Sequence, residues 1–283
     1  MKKISAFKSK EGKSEVIKYY NSFLEGLSFS FEELYVDTEY GKTFIIAAGE
    51  KSSPPLVLLH GSAMNSVMWL KDIEKYSVTY RVYAIDMIGE PGKSEETQLP
   101  LEDDSYSKWL NEVFNGLTLD KASIIGISLG GWLGTKFAIS FPEKVDKLLL
   151  ISPSGIGPQR KSFLFKCIGH MIFGEKGMDK LYYKVNGNQP IPEKMLKYQK
   201  LIGKNFNNRT EIIPIFSDEE IKRLNMPTML FVGLKDIMLH SDKTAKRLER
   251  LLPQAKINIS PEAGHTIINL TDEINKFLNV KFS

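Results

Sequence analysis

The stretch IIGISLGGW, residues 124–132, contains the sharpest turn signal in the sequence. An apolar, β-branched run leads into it and LGGWLGTKFAISF, which suits a helix, leads out, so Gly126-Ile-Ser128-Leu-Gly130 fits G-x-S-x-G at a strand-to-helix turn. A chain that passes from strand to helix through one residue strains that residue, and the neighbours two before and two after must be small. Its side-chain oxygen is then left exposed near the positive end of a helix. A glycine-rich turn without chemistry has the same letters. The strand before and the helix after favour Ser128 as a nucleophile.

Outward from this turn, short Leu-rich or β-branched runs recur: PLVLLHG (55–61), YRVYAIDM (80–87), ASIIGIS (122–128), DKLLLIS (146–152), PTMLFVG (227–233) and AKINIS (255–260). Longer segments of helical spacing separate most of them. Runs apolar on both faces suit parallel strands covered by helices on two sides. Ahead of them, FEELYVDTEYGKTFIIAAGE alternates, turns at Tyr40-Gly41 and alternates again, as an antiparallel hairpin does. Residues 12–26 carry Val16, Tyr19, Tyr20, Phe23 and Leu24 at the spacing of an amphipathic helix. The pattern predicts an α/β chain with a doubly wound, mostly parallel sheet. Residues 1–29 form a helical extension in this reading, and 30–154 with 223–283 form the core. Residues 155–222 interrupt the rhythm with apolar and aromatic positions at helical spacing, and are expected to be a helical cap.

The 283 residues suffice for one large α/β domain with a modest insertion. The 38 basic and 34 acidic residues are interspersed, so the net charge of +4 describes a mixed solvated surface and predicts no nucleic-acid partner. Cys167 is the single cysteine, which fits a reducing compartment and a packed thiol. The positive start MKKISAFKSK is followed by no apolar run. No stretch approaches the roughly 18 apolar residues of a membrane span. The expectation is a soluble, cytoplasmic protein without a membrane partner.

A serine hydroxyl needs a base to take its proton and a carboxylate to orient that base. There are four histidines. His60 precedes Gly61 in a different motif, His170 lies in an apolar helical run, and His240 leads into a helix that would carry it away. His265, in SPEAGHTIINL, stands in a small-residue loop beyond the last strand, at the sheet edge where such folds gather their chemistry. The loop after DKLLLIS has no carboxylate, whereas the loop after PTMLFVG supplies Asp236, whose alternative reading is a helix cap. The order Ser128, Asp236, His265 is that of a nucleophile-elbow hydrolase. An oxyanion needs backbone donors, and the N–H groups of Leu129 and Ser62 are the candidates, Ser62 being alternatively the cap of NSVMWLKDIEKY.

IDMIGEPGKSEE, residues 85–96, ends its glycine-rich part in Gly-Lys-Ser, as a phosphate-binding P-loop does. Only Glu90 and Pro91 separate Gly89 from Gly92, however, where a P-loop has four residues between its glycines. Pro91 has no N–H to give and Glu90 would repel a phosphate. Nucleotide binding is therefore set aside, with Glu90-Pro91 expected at the rim of the strand-end crevice and Lys93 expected in solvent.

LVLLHGSAMNSVMW, AIDMIGEPGKS, IIGISLGGW, MLFVGLKD and EAGHTIINL together resemble the α/β-hydrolase superfamily, and within it the Bacillus-type serine carboxylesterases. The resemblance runs over about residues 30–282. It implies an eight-stranded sheet with a cap inserted after strand 6, and hydrolysis of a small-molecule carboxylic ester through an acyl-enzyme. Ser128 would be the nucleophile, His265 the base and then the acid, Asp236 its orienter, and Ser62 and Leu129 the oxyanion donors. Asp86, Gly89, Gly92 and Ser94 match the family's D-x-x-G-x-G-x-S loop, one residue longer here between its glycines. A serine at the elbow argues against the dehalogenases and epoxide hydrolases of this fold, which use a carboxylate there. Lactone, thioester and carbon–carbon bond hydrolysis, and ligand sensing, are the alternatives. Phe163, Phe165, Met171, Phe173, Met178, Tyr182 and Tyr183 either line an apolar pocket or pack the cap onto the core. No cofactor or metal is expected, since such a triad needs none. Esterase activity should accordingly survive EDTA; complete loss on chelation, restored by adding metal, would contradict this reading.

Overall fold

The computed structural model describes residues 5–209 and 211–280, without the side chains of Leu164, Phe165, Ile168 and Met171. Phe165 and Met171, named above as pocket or packing residues, thus have side chains outside the described set.

The hairpin consists of β1 (Phe31–Thr38) and β2 (Gly41–Ala48), paired antiparallel and closed by Tyr40-Gly41 as the alternation predicts. The remaining strands are β3 (Pro55–Leu59), β4 (Arg81–Ile85), β5 (Ala122–Ile127), β6 (Val145–Ile151), β7 (Thr228–Gly233) and β8 (Lys256–Ser260). They form one eight-stranded sheet in the order β1-β2-β4-β3-β5-β6-β7-β8. The β2–β4 pair is antiparallel, and every pair from β4 to β8 is parallel. All C-terminal ends of β3 to β8 therefore open on one sheet edge, so residues distant in sequence leave the sheet as neighbours.

Alternation along each strand divides the interior into two cores. Val57, Leu59, Ile124, Leu148, Leu150, Leu230 and Val232 face one side. Leu56, Leu58, Ile125, Leu149, Ile151, Met229 and Phe231 face the other. On the first side lie α3 (Ser105–Gly116) and α4 (Leu129–Ser140). α4 has no polar face to spare, and almost every residue from Leu129 to Ile139 is buried, as expected of a helix apolar all round. Trp132 is among them, packed edge-on to Tyr106 at 5.9 Å, so it is a core residue.

On the second side lie α1 (Lys10–Leu24), α2 (Leu70–Tyr76) and α10 (Thr271–Leu278). Ser9 caps α1 by accepting the Gly12 N–H, so the helix begins two residues ahead of the stretch 12–26 that announced it. Val16, Tyr20 and Leu24 are its buried stripe. Between β6 and β7 the chain forms α5 (Ser162–Ile172), α6 (Gly174–Val185), α7 (Glu193–Asn205) and the short α8 (Asp218–Lys222). α1 also packs on α7, where the Tyr19 and Tyr198 rings stack at 5.3 Å. Within this interval Phe163, Met178, Tyr182 and Tyr183 are half-buried, but Phe173 is 75% exposed. α9 (Ser241–Leu251) covers β7 and β8.

Gly130 is the contact point between α4 and the sheet. A Cβ there would collide with the backbone carbonyls of Leu59 and His60, neither of which can swing away as a side-chain tip could. Gly130→Ala is expected to lower stability by about 1–3 kcal/mol through overpacking. A lowered urea midpoint at unchanged m-value would show it, and a wild-type midpoint would refute it.

Candidate active site

Ser128 follows β5 directly, with φ 53° and ψ −112°, a backbone that side-chain-bearing residues adopt only under constraint. The constraint is visible: its N–H donates to Ile151 O at 3.0 Å, and its carbonyl accepts from Trp132 N at 3.0 Å and Ser154 N at 3.1 Å. A Cβ on Gly126 would strike the carbonyl of Gly130. This is why the positions two before and two after Ser128 are glycines.

Asp236 lies in the loop after β7 and His265 in the loop after β8. The two meet through Asp236 Oδ2 and His265 Nδ1 at 2.7 Å, with Asp236 2% and His265 6% exposed. A carboxylate only accepts, so Nδ1 carries the proton and Nε2 of the neutral ring keeps its lone pair. Asp236 Oδ1 accepts from Met238 N at 2.6 Å and Leu239 N at 3.0 Å, so the carboxylate also orders its own loop, as the capping alternative suggested. Burial works to raise the Asp236 pKa, but the charge and hydrogen bond of His265 with those two amides hold it below its ordinary value. The loop that carries His265 is itself wedged in place. His265 N–H donates to Val185 O at 2.8 Å, and Gly264 fits against Gly187 on one side and Gly233 on the other, where any Cβ would collide.

Ser128 shares this sheet edge and is 9% exposed. Among the described residues no hydrogen bond joins its Oγ to the His265 ring. Catalytic bonds are often long before substrate binds and tighten in the complex. The other histidines stay apart from Asp236. His60 is fully buried: its Nε2 accepts from Met87 N at 2.8 Å, so its Nδ1 must donate to Gly61 O, also at 2.8 Å. Burial lowers its pKa and keeps the ring neutral. His170 Nε2 faces Lys184 Nζ at 3.4 Å, and His240 heads α9 with its N–H on Pro158 O.

The N–H groups of Ser62 and Leu129 have no hydrogen-bond partner among the described residues. Their loops are adjacent, since a Cβ on Gly61 would lie 3.6 Å from Ser128 Cβ. Ser62 is not a helix cap. That place belongs to Asn65, whose side chain accepts from Val67 N ahead of the short turn Ser66–Trp69.

Residues 54–177 match the family model for the alpha/beta hydrolase fold. The chain is 29% identical to carboxylesterase YbfK of Bacillus subtilis over 89% of its own length and 88% of that protein. The crystal structure of naproxen esterase (carboxylesterase NP) from Bacillus subtilis superposes with a TM-score of 0.84 at 26% identity, covering 96% of this chain and all of that one. The chain has the α/β-hydrolase fold. A 2-hydroxy-6-oxo-6-phenylhexa-2,4-dienoate hydrolase from Rhodococcus, with a TM-score of 0.69 at 20% identity over 89% of this chain and 98% of that one, shares the fold alone.

In this chain the loop after β4 is held by Asp86. Its Oδ1 accepts from Ser66 N and its Oδ2 from Lys93 N, each at 2.8 Å, and a Cβ on Gly92 would strike the same carboxylate. Gly89 takes φ 76°, a conformation natural to glycine. Two expectations fail here. Lys93 is not in solvent: its Nζ pairs with Glu33 at 2.9 Å and sits over the Phe44 ring at 4.5 Å, with only 10% of the side chain exposed. Glu90 is not at a rim but 1% exposed, accepting Ala63 N–H at 2.7 Å beneath the loop that carries Ser62. A groove of about 1120 Å³ lined by Pro54, Tyr80, Ser123, Asp146 and Met226 lies at the opposite, N-terminal strand edge, away from Ser128.

Asp236→Asn would put an amide where the His265 Nδ1 proton now points and drive that proton to Nε2. The 15N spectrum of labelled histidine at neutral pH should show His265 Nδ1 protonated in the wild type and unprotonated in the variant. An unchanged tautomer would show that the bond to Asp236 does not set it.

Proposed function

We propose that the protein is a serine carboxylesterase that cleaves carboxylic esters of small, mostly apolar substrates through an acyl-enzyme. The observation that carries this reading is the Asp236–His265 hydrogen bond, at the same sheet edge as the constrained Ser128 elbow. Sequence kinship to carboxylesterase YbfK over most of both chains supports ester hydrolysis as the reaction.

His265 Nε2 takes the hydroxyl proton as Ser128 Oγ attacks the ester carbonyl carbon, and the carbonyl π pair moves onto oxygen. The unpartnered N–H groups of Ser62 and Leu129 are the donors for that oxyanion. Asp236 keeps the ring in register and stabilises the imidazolium as it forms. Collapse of the tetrahedral centre breaks the carbon–oxygen bond to the alcohol, which leaves with the proton from His265. Water, deprotonated by His265, then attacks the acyl-Ser128 ester, and the second collapse returns the proton to Ser128 and releases the acid. Residues 155–222 serve as the cap in this reading, with the half-buried Phe163, Met178, Tyr182 and Tyr183 as its apolar contribution. The partner is a small ester molecule, and a single cysteine fits a cytoplasmic setting.

A fluorophosphonate probe should form one adduct, on Ser128, and Ser128→Ala should abolish it together with p-nitrophenyl ester turnover, lowering kcat by at least about 10⁴-fold. An adduct mapped to another residue, or turnover retained in the variant, would overturn the assignment. Ligand binding without Ser128-dependent turnover would identify a sensor instead.

A further inference from the structure

We infer that Glu90 and Arg209 are positioning residues that lock the oxyanion loop, so that the interval between β6 and β7 helps set the oxyanion hole through a buried ion pair. The inference rests on the esterase reading and adds to it two residues that stand outside the triad and the oxyanion donors.

Two successive peptide planes carry the loop. Gly61 C=O and Ser62 N–H belong to the same trans peptide and point in opposite directions, so holding the carbonyl aims the amide. His60 Nδ1 holds that carbonyl at 2.8 Å. The next plane ends in Ala63 N–H, which Glu90 Oε2 accepts at 2.7 Å. Ala63 has φ 56°, a left-handed backbone that alanine does not favour and that needs such a restraint. The Glu90 bond also withdraws the Ala63 amide as a competing donor and leaves the Ser62 amide unpartnered.

Glu90 has a fully buried side chain, so its charge requires a partner. Arg209 Nε stands 3.4 Å from Glu90 Oε1, a charge contact not aligned as a hydrogen bond. Arg209 is fixed in turn by Leu99 O at 2.9 Å, by Glu211 at 3.0 Å and by the Tyr106 hydroxyl, with its guanidinium over the Tyr106 ring. Arg209, with Glu211 and Tyr106 behind it, makes up the charged and titratable surroundings of the carboxylate. Burial pushes Glu90 up to about 7, opposed by Arg209, the Ala63 amide and the Ser62 hydroxyl. Its proton therefore comes and goes in the range where an esterase is assayed. Protonation removes the attraction to Arg209 and frees the loop. The effect on stability has the opposite sign: a carboxyl with a raised folded pKa favours the fold while protonated, and loses that contribution as pH rises from about 4.5 towards 7.

The test is kcat and KM for a short p-nitrophenyl ester, with the rate of fluorophosphonate labelling, across pH 5 to 9, in wild type, Glu90→Gln and Arg209→Lys. Gln keeps an acceptor for Ala63 N–H but no charge. It should lower kcat and labelling rate about tenfold or more at pH 8, leave KM within about twofold, and remove one ionisation from the acid limb. Lys should shift that limb to higher pH by pairing less well. The Tm of wild type relative to Glu90→Gln should rise as pH falls from 7.5 to 5. A Gln variant with wild-type kcat and acid limb would overturn the inference while the esterase reading stood. Should Gln fail to fold, an unshifted limb in Arg209→Lys would overturn it equally. Wild-type protein without Ser128-dependent turnover would instead overturn the esterase reading itself.

Discussion

The backbone of Ser128 is the constraint on which the site depends. A serine at φ 53° and ψ −112° is unfavourable on its own and persists because β6, the loop after it and α4 all hold it. That enclosure requires α4 to lie almost against the sheet, which requires Gly126 and Gly130, which in turn commits α4 to burial on every side. The apolar character of α4 and the two-core division of the sheet are therefore linked to the exposure of one oxygen atom. The strained backbone of Ser128 is thus held by the packing of α4 on β5 and β6.

Three buried carboxylates show how the same group serves different ends under different partners. Asp86 accepts two backbone N–H groups and the Tyr20 hydroxyl, and fixes a loop. Asp236 accepts two amides on one oxygen and an imidazole on the other, which holds its pKa down and keeps it charged beside His265. Glu90 has one amide, the Ser62 hydroxyl and a guanidinium at 3.4 Å, too little to offset its burial, and is driven up to about 7. The number and closeness of donors decides between a permanent anion and a titrating one.

The strands and the pairing of Asp236 with His265 were legible because each depends on local pattern or on topology. Runs apolar on both faces predicted the parallel strands, and parallel order then gathers every strand-end loop at one edge. Glu90 was visible only as an obstacle to phosphate: a charged residue in a glycine-rich loop gives no sign of being buried, since burial depends on a partner about 120 positions away in Arg209. Lys93 misleads for a related reason. A lysine reads as solvated unless the aromatic faces that receive it are known, and Tyr20 and Phe44 come from separate elements. The unpartnered Ser62 amide likewise follows from His60 and Glu90 occupying its neighbours, a matter of hydrogen-bond saturation that side-chain letters do not encode.

The interval between β6 and β7 touches the site at two places that have nothing to do with lining a pocket. Val185 O at the end of α6 receives His265 N–H, and Arg209 faces Glu90 under the loop that carries Ser62. One contact bears on the loop of His265 and the other on the loop of Ser62, so this segment reaches both parts of the proposed site. The interval is thus tied down at two anchor points: a close approach of Gly187 to Gly264, and a cation reaching Glu90. Movement of these helices on substrate binding would reach His265 and Ser62 through those anchors, and substrate shape would then influence kcat as well as affinity.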